Sequence, residues 1–194
     1  MEPTSTAISH PHLRHLIAQA EAVRTEAERL RDTLTDAQLM WRPAPDVWSV
    51  ADCFEHLRKV DKAYCRNLVP ALAAMEPGTA AYAPGWFGRM FIRFVSPEST
   101  FKLKAPKAIR PQGHLNSAPA ESMQRFLDQQ AALVDLIQQA DGKDLNTGKF
   151  ASPLASIVRF TVGEALTMLV THERRHLAQA QRVTARPGFP SSDG

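Results

Sequence analysis

His172 and His176 stand four residues apart in a segment with helical periodicity, so their imidazoles project from one face about one turn apart and can reach a common metal ion. Glu173 lies between them, and His172-Glu173-Arg174-Arg175-His176 spells H-E-x-x-H, the string used by zinc proteases. The protease reading fails on the downstream residues. Those enzymes take a third ligand from further along the chain, whereas the 18 residues after His176 offer no His, Cys or Glu and only a late Asp193. A third ligand must come from another helix, and His56 is the candidate, on a face shared with Cys53, Val60 and Ala63. Histidines on core-facing stripes need partners, because an unsatisfied buried polar group costs about 1–3 kcal/mol. Three of them can satisfy one another by hydrogen bonds or converge on a divalent metal, and a pair at i, i+4 joined by a third favours the metal. Three imidazoles leave coordination positions open for water or substrate, which is how a catalytic metal centre is built. Glu173 is a candidate catalytic residue, as orienting group or general base, although its phase sets it to one side of the pair and a surface ion pair with an arginine is an equal expectation. Cys53 reads as a small buried hydrophobe, and Trp48 as a core anchor at the start of its helix.

The elements that must position these groups are helical, and no convincing alternating strand is present. Leu13, Leu16, Ile17, Ala20, Val23, Ala27, Leu30 and Leu34 keep steps of three and four and predict a first helix over about 11–34. Thr35-Asp36-Ala37-Gln38 carries a capping pattern that opens a short turn before Pro43 and Pro45. Ser49 caps a second helix with the inward stripe Val50, Phe54, Leu57, Val60, Tyr64 and Leu68. Residues 76–118 form a long, irregular, proline-rich and basic insertion, inside which residues 86–95 predict a short amphipathic helix. A third long helix is expected over about 119–140, ended by Asp141-Gly142. Thr161 and Glu164 form a capping box that opens the last helix, whose seam is Ala165, Leu169, His172, His176, Gln179 and Val183. Pro187-Gly188 closes it and leaves a tail expected to be disordered over 187–194. The sum is one all-α domain spanning 1–194, a four-helix bundle with a long Pro-rich connection between its second and third long helices.

Composition narrows the function. With 44% hydrophobic and 22% charged residues the chain is ordinary for a globular domain, and no apolar stretch approaches the roughly 20 residues of a membrane helix. Met1-Glu2-Pro3-Thr4 lacks a secretory n-region, and Cys53 and Cys65, about 18 Å apart along one helix, cannot pair; a cytoplasmic location is expected. The net charge of +3 and 7% aromatics argue against nucleic acid as a partner. The positive charge is uneven: Arg89, Arg93, Lys102, Lys104, Lys107 and Arg110 face only Glu98 between Trp86 and Gly113. This is either a solvated loop or a site for a small anion, in which Arg89 and Arg93 are candidate substrate-binding residues. His10, His12 and His15 read as surface residues, and His114 carries no pattern.

Two segments resemble a known family. Residues Arg42-Pro43-Ala44-Pro45-Asp46-Val47-Trp48-Ser49-Val50-Ala51-Asp52-Cys53-Phe54-Glu55-His56-Leu57 are similar to the first signature of the DinB-like (DinB/YfiT) superfamily, in which Trp-Ser opens a helix and a His-Leu pair comes after it. Val162-Gly163-Glu164-Ala165-Leu166 through His172-Glu173-Arg174-Arg175-His176-Leu177-Ala178-Gln179 resembles the second. The resemblance implies an up-down-down-up four-helix bundle, frequently a homodimer, with a divalent metal (zinc or nickel) on three histidines that correspond to His56, His172 and His176. It further implies the chemistry of thiol-dependent transferases and isomerases, with a low-molecular-weight thiol as cosubstrate; the leading expectation is a metal-dependent transferase or hydrolase acting on a small-molecule substrate through the three-histidine site. Dimerisation would use the apolar surface of 86–95, which could instead fold back as a lid. The competing expectation is a non-catalytic stress-response or binding bundle whose metal site is structural or vestigial.

Overall fold

The computed structural model describes residues 8–101, 105–106, 108–111 and 118–191. Its elements run α1 (Pro11–Thr33), α2 (Asp36–Met40), α3 (Val50–Ala73), α4 (Trp86–Phe94), α5 (Pro119–Gln139), β1 (Phe150–Ser152), β2 (Ala155–Phe160) and α6 (Val162–Thr184). The polar caps set the starts. Ser49 Oγ accepts from the Asp52 amide at 3.1 Å while Asp52 accepts from the Ser49 amide at 2.9 Å, and Thr161 and Glu164 repeat the exchange at α6. Asp52 is also gripped by Arg42 at 2.7 Å, which ties the Arg42–Trp48 approach to the first turn of α3. Gly142, at φ 77°, supplies the left-handed turn after α5.

The four long helices interlock in pairs: α3 packs on α5 and α6, and α1 packs on the same two. Their stripes bury two apolar clusters, one around Leu16, Leu68, Leu133 and Leu169, the other around Leu30, Phe54, Phe126 and Ala180. A polar layer lies between them. Gln130 of α5 donates to the Ala20 carbonyl of α1 at 2.8 Å and to Glu173 of α6 at 3.3 Å, and Asp61 of α3 completes the layer.

The sheet corrects the sequence expectation that strands are absent. β1 and β2 form an antiparallel hairpin pairing Phe150 with Phe160, with a bulge between Ala151 and Ser152. Three residues in β1 are too few for an alternating pattern, and the largely exposed β2 has no apolar face to display one. The hairpin is fastened to α3 by Tyr64, whose hydroxyl meets that of Ser152 at 2.7 Å, and by Asn67, which donates to the Ala151 carbonyl. Of the tail, Phe189 packs edge-on to Trp41 and Gln38 donates to the Pro190 carbonyl. Lys102, Lys104, Lys107, His114 and Asp193 lie outside the described residues. No helix among the described residues is long and apolar enough to cross a membrane.

Candidate metal centre

Residue 56 comes about two turns after the Ser49 cap, and residues 172 and 176 occupy successive turns near the middle of α6; α3 and α6 are in contact, and the three rings converge across it. His172 Nε2 lies 3.4 Å from His56 Nε2 and 3.1 Å from His176 Nε2. Each pair of rings is T-shaped, with centroids 4.6–5.2 Å apart. His56 Nδ1 donates to the Ile109 carbonyl at 2.9 Å. A carbonyl only accepts, so the proton of His56 is on Nδ1 and the Nε2 lone pair faces the other two rings. Burial pushes His56 down to about 4. Burial also holds His172 and His176 well below the usual range, with the neighbouring imidazoles adding to the shift. All three are therefore neutral at pH 7, the form that binds metal.

The donor set fits a divalent ion. Nitrogens bound to tetrahedral zinc at about 2.0–2.1 Å stand roughly 3.3–3.4 Å apart, close to the two separations seen here. No other group of three His, Cys, Asp or Glu side chains among the described residues converges in this way. Cys53 does not join it: its thiol is fully buried and burial pushes its pKa up, as expected of a core residue.

Glu173 is fully buried and points away from the histidines into the polar layer, where it meets Gln130 and Asp61 instead of pairing with a surface arginine. Burial pushes both carboxyls up, Asp61 further under the charge of Glu173. A proton on Asp61, donated to Glu173, leaves the pair hydrogen-bonded with a single negative charge. Arg89 and Arg93 lie on the exposed side of α4, Arg89 donating to the Pro84 carbonyl, and neither lines the cavity at the metal centre.

That cavity, of about 790 Å³, is lined by all three imidazoles, those of His56, His172 and His176. Trp48 forms one wall, stacked 5.5 Å from His176 and tilted 4.9 Å from His56, so the helix-start tryptophan is also a site residue. Further lining comes from α4, which packs on α6. Gly85 donates its amide to Glu164 at 2.9 Å, and a Cβ on Gly88 would stand 2.2 Å from the same carboxylate oxygen, so only glycine lets α4 come this close. Phe91 packs on Phe160 at 5.1 Å and reaches the cavity together with Phe94. Arg175 donates to the carbonyls of Ser96, Ser99 and Phe101 and holds the loop after α4 in place.

Residues that single-residue patterns did not flag are Arg175, Arg182, Arg186 and the Ile109 carbonyl. Arg175 and Arg182 share the α6 stripe with His172 and His176 at helical spacing, and Arg186 continues that spacing just past the end of the helix, a signal present in the sequence, whereas a backbone acceptor in an irregular loop leaves none.

A mostly helical protein whose two central helices aim three neutral imidazoles at one point, under a partly apolar cavity of small-molecule size, is in class a candidate metalloprotein. The DinB superfamily profile matches residues 19–180, a span that contains all three histidines, and the chain belongs to that superfamily. No curated protein and no solved structure matches the chain.

Proposed function

We propose that the protein is a metal-dependent enzyme of the DinB superfamily, with zinc or nickel held by His56, His172 and His176. It acts on a small molecule as a thiol-dependent S-transferase or as a hydrolase. The observation that carries this is the convergence of three neutral Nε2 atoms in the lining of an open cavity. A divalent ion there supplies the positive charge that keeps a thiol or water ionised at neutral pH. The chain's own residues do the rest. The Ile109 carbonyl fixes the tautomer of His56, Trp48 shields two of the rings from water, and α4 narrows the approach. Glu173 serves this reading from behind, by fixing α6 against α3 and α5. The long helices form an up-down-down-up bundle, and the protein works as a cytoplasmic homodimer.

Metal analysis of untagged full-length protein tests the reading. About one zinc or nickel per chain is expected, lost in His56→Ala, together with metal-dependent transfer of glutathione, mycothiol or bacillithiol to an electrophilic dye. Stoichiometric metal with no reaction of any thiol or ester would make this a structural or vestigial site. Absence of metal would reduce the cluster to three mutually hydrogen-bonded histidines.

A further inference from the structure

The cavity is chemically two-sided. Its apolar lining includes Trp48, Phe91 and Phe94 of α4, and Phe101, whose ring packs 5.5 Å from that of Phe94. Its polar side is cationic: Arg110, Arg175, Arg182 and Arg186 line it, against Asp46 as the one acid among the described residues. These four arginines are not equivalent. Arg175 is used by three loop carbonyls, and Arg110 donates twice to the Ala105 carbonyl. The guanidinium groups of Arg182 and Arg186 have no hydrogen-bond or ion-pair partner among the described residues; Arg66, Arg93 and Arg174 are equally unpaired but do not line the cavity, and Arg24, Arg29, Arg31, Arg58 and Arg125 each hold a carboxylate. Arg182 lies six residues beyond His176 on α6, about 9 Å along the helix axis. A cavity of about 790 Å³ is the size that encloses a drug-sized molecule.

Resting on the metal-centre reading for its reactive end, we propose that the substrate is an amphiphilic monoanion. Its apolar, preferably aromatic body lies between Trp48 and the phenylalanines of α4, and its carboxylate is held by Arg182, which stands about 9 Å along the α6 axis from His176, with Arg186 as a second cation of the same lining. A guanidinium binds a carboxylate through two parallel N–H donors, and it does so at full strength only when no internal acid competes. The aromatic wall recognises a flat apolar group by area and edge or face contact. Neither half alone accounts for the cavity: a small hydrophilic anion would leave the aromatic wall wet, and a neutral hydrocarbon would leave the arginines unused.

The test is binding, read by tryptophan fluorescence and calorimetry on the full chain, as purified and after metal chelation. Three probes are compared: 1-naphthylacetate, its neutral amide, and acetate. The naphthyl anion is expected to bind at least about ten-fold more tightly than either of the others, a preference worth about 1.4 kcal/mol. Arg182→Gln should abolish the preference for anion over amide and leave amide binding unchanged, whereas Phe94→Ala should weaken anion and amide alike. An anion-to-amide ratio unmoved by Arg182→Gln, or acetate binding as well as the naphthyl anion, overturns the proposal. Anion binding that survives chelation but not Arg182→Gln supports it even if the metal reading fails. Anion binding that disappears on chelation and ignores Arg182 overturns it and leaves the metal reading intact.

Discussion

Asp61→Asn isolates the buried carboxyl pair and has a pH signature that a merely damaged core would not show. Asp61 and Glu173 are both fully buried, and burial raises both, Glu173 to about 8. In the unfolded chain the same groups ionise near their ordinary values of about 4. Between about pH 4 and pH 8 the native state therefore holds at least one proton that the unfolded state has lost. Stability from this source is complete below the unfolded value and is lost as pH rises toward the folded one, by about 1.4 kcal/mol per pH unit per proton. An amide at position 61 is a permanent donor to Glu173 and does not titrate, so one such proton is removed from the balance. The stability of the variant minus that of the wild type should therefore climb by roughly 2.7 kcal/mol from about pH 5 to about pH 7. The buried histidines titrate in the same range with the opposite sign, but they are common to both proteins and cancel in the difference. Urea unfolding followed by circular dichroism across that range measures it, with chelator present so that metal affinity does not enter. Parallel stability profiles for the two proteins would refute the shared-proton account.

The close approach of α4 to α6 predicts that Gly88→Ala, whose new methyl would meet Glu164 Oε1 at 2.2 Å and Cδ at 2.4 Å, destabilises the protein by about 1–3 kcal/mol. Glu164 can yield only by leaving the Thr161 cap, so hydrogen exchange at the start of α6 should speed up; unchanged urea unfolding and exchange would show that α4 does not dock there. Arg42→Met removes the cation from buried Asp52, and a cost of about 1–3 kcal/mol is expected, with a shift in tryptophan emission as Trp48 loosens from the histidine rings. Unfolding curves and emission spectra identical to wild type would detach the Arg42–Asp52 pair from the placement of Trp48.

How much of the molecule was legible in the sequence depends on where the information is stored. Caps and stripes are local: Ser49, Thr161, Gly142 and the three-four spacing of Leu13 to Leu30 or Val50 to Leu68 predict all four long helices to within a residue or two at most ends. The His172–His176 pair is local as well, and the structure brings His56 to it. The hairpin left no trace because β2 is mostly exposed and β1 is three residues long. Glu173 shows the limit of a string match: H-E-x-x-H suggests a base at a metal, yet position 173 lies about 100° around the helix from 172, and here that direction is the core. Likewise the run of cations in 86–113 drew attention to Arg89 and Arg93, which do not line the cavity, whereas Arg110 of that run does, together with Arg175, Arg182 and Arg186 further along the chain.

Burying Asp61, Gln130 and Glu173 where leucines would pack costs stability, so the position of this layer calls for a physical reason. Apolar stripes on four helices tolerate a slide of one turn, since leucine meets leucine in either register. A slide of one turn is about 5.4 Å. That exceeds the 3.1–3.4 Å that separates the neighbouring Nε2 atoms, and it would take His56 out of reach of His172. The polar layer favours this register: in it Gln130 meets the Ala20 carbonyl and Glu173, and Asp61 meets Glu173, and a slide that broke these contacts would leave further buried polar groups unpaired at about 1–3 kcal/mol each, beyond the Gln130 Oε1 that already lacks a partner. Each long helix contributes one member to this layer, and the α6 member is the residue next to His172. The carboxyl pair that looks like a defect of the core is thus the device that holds three imidazoles at metal-binding distance.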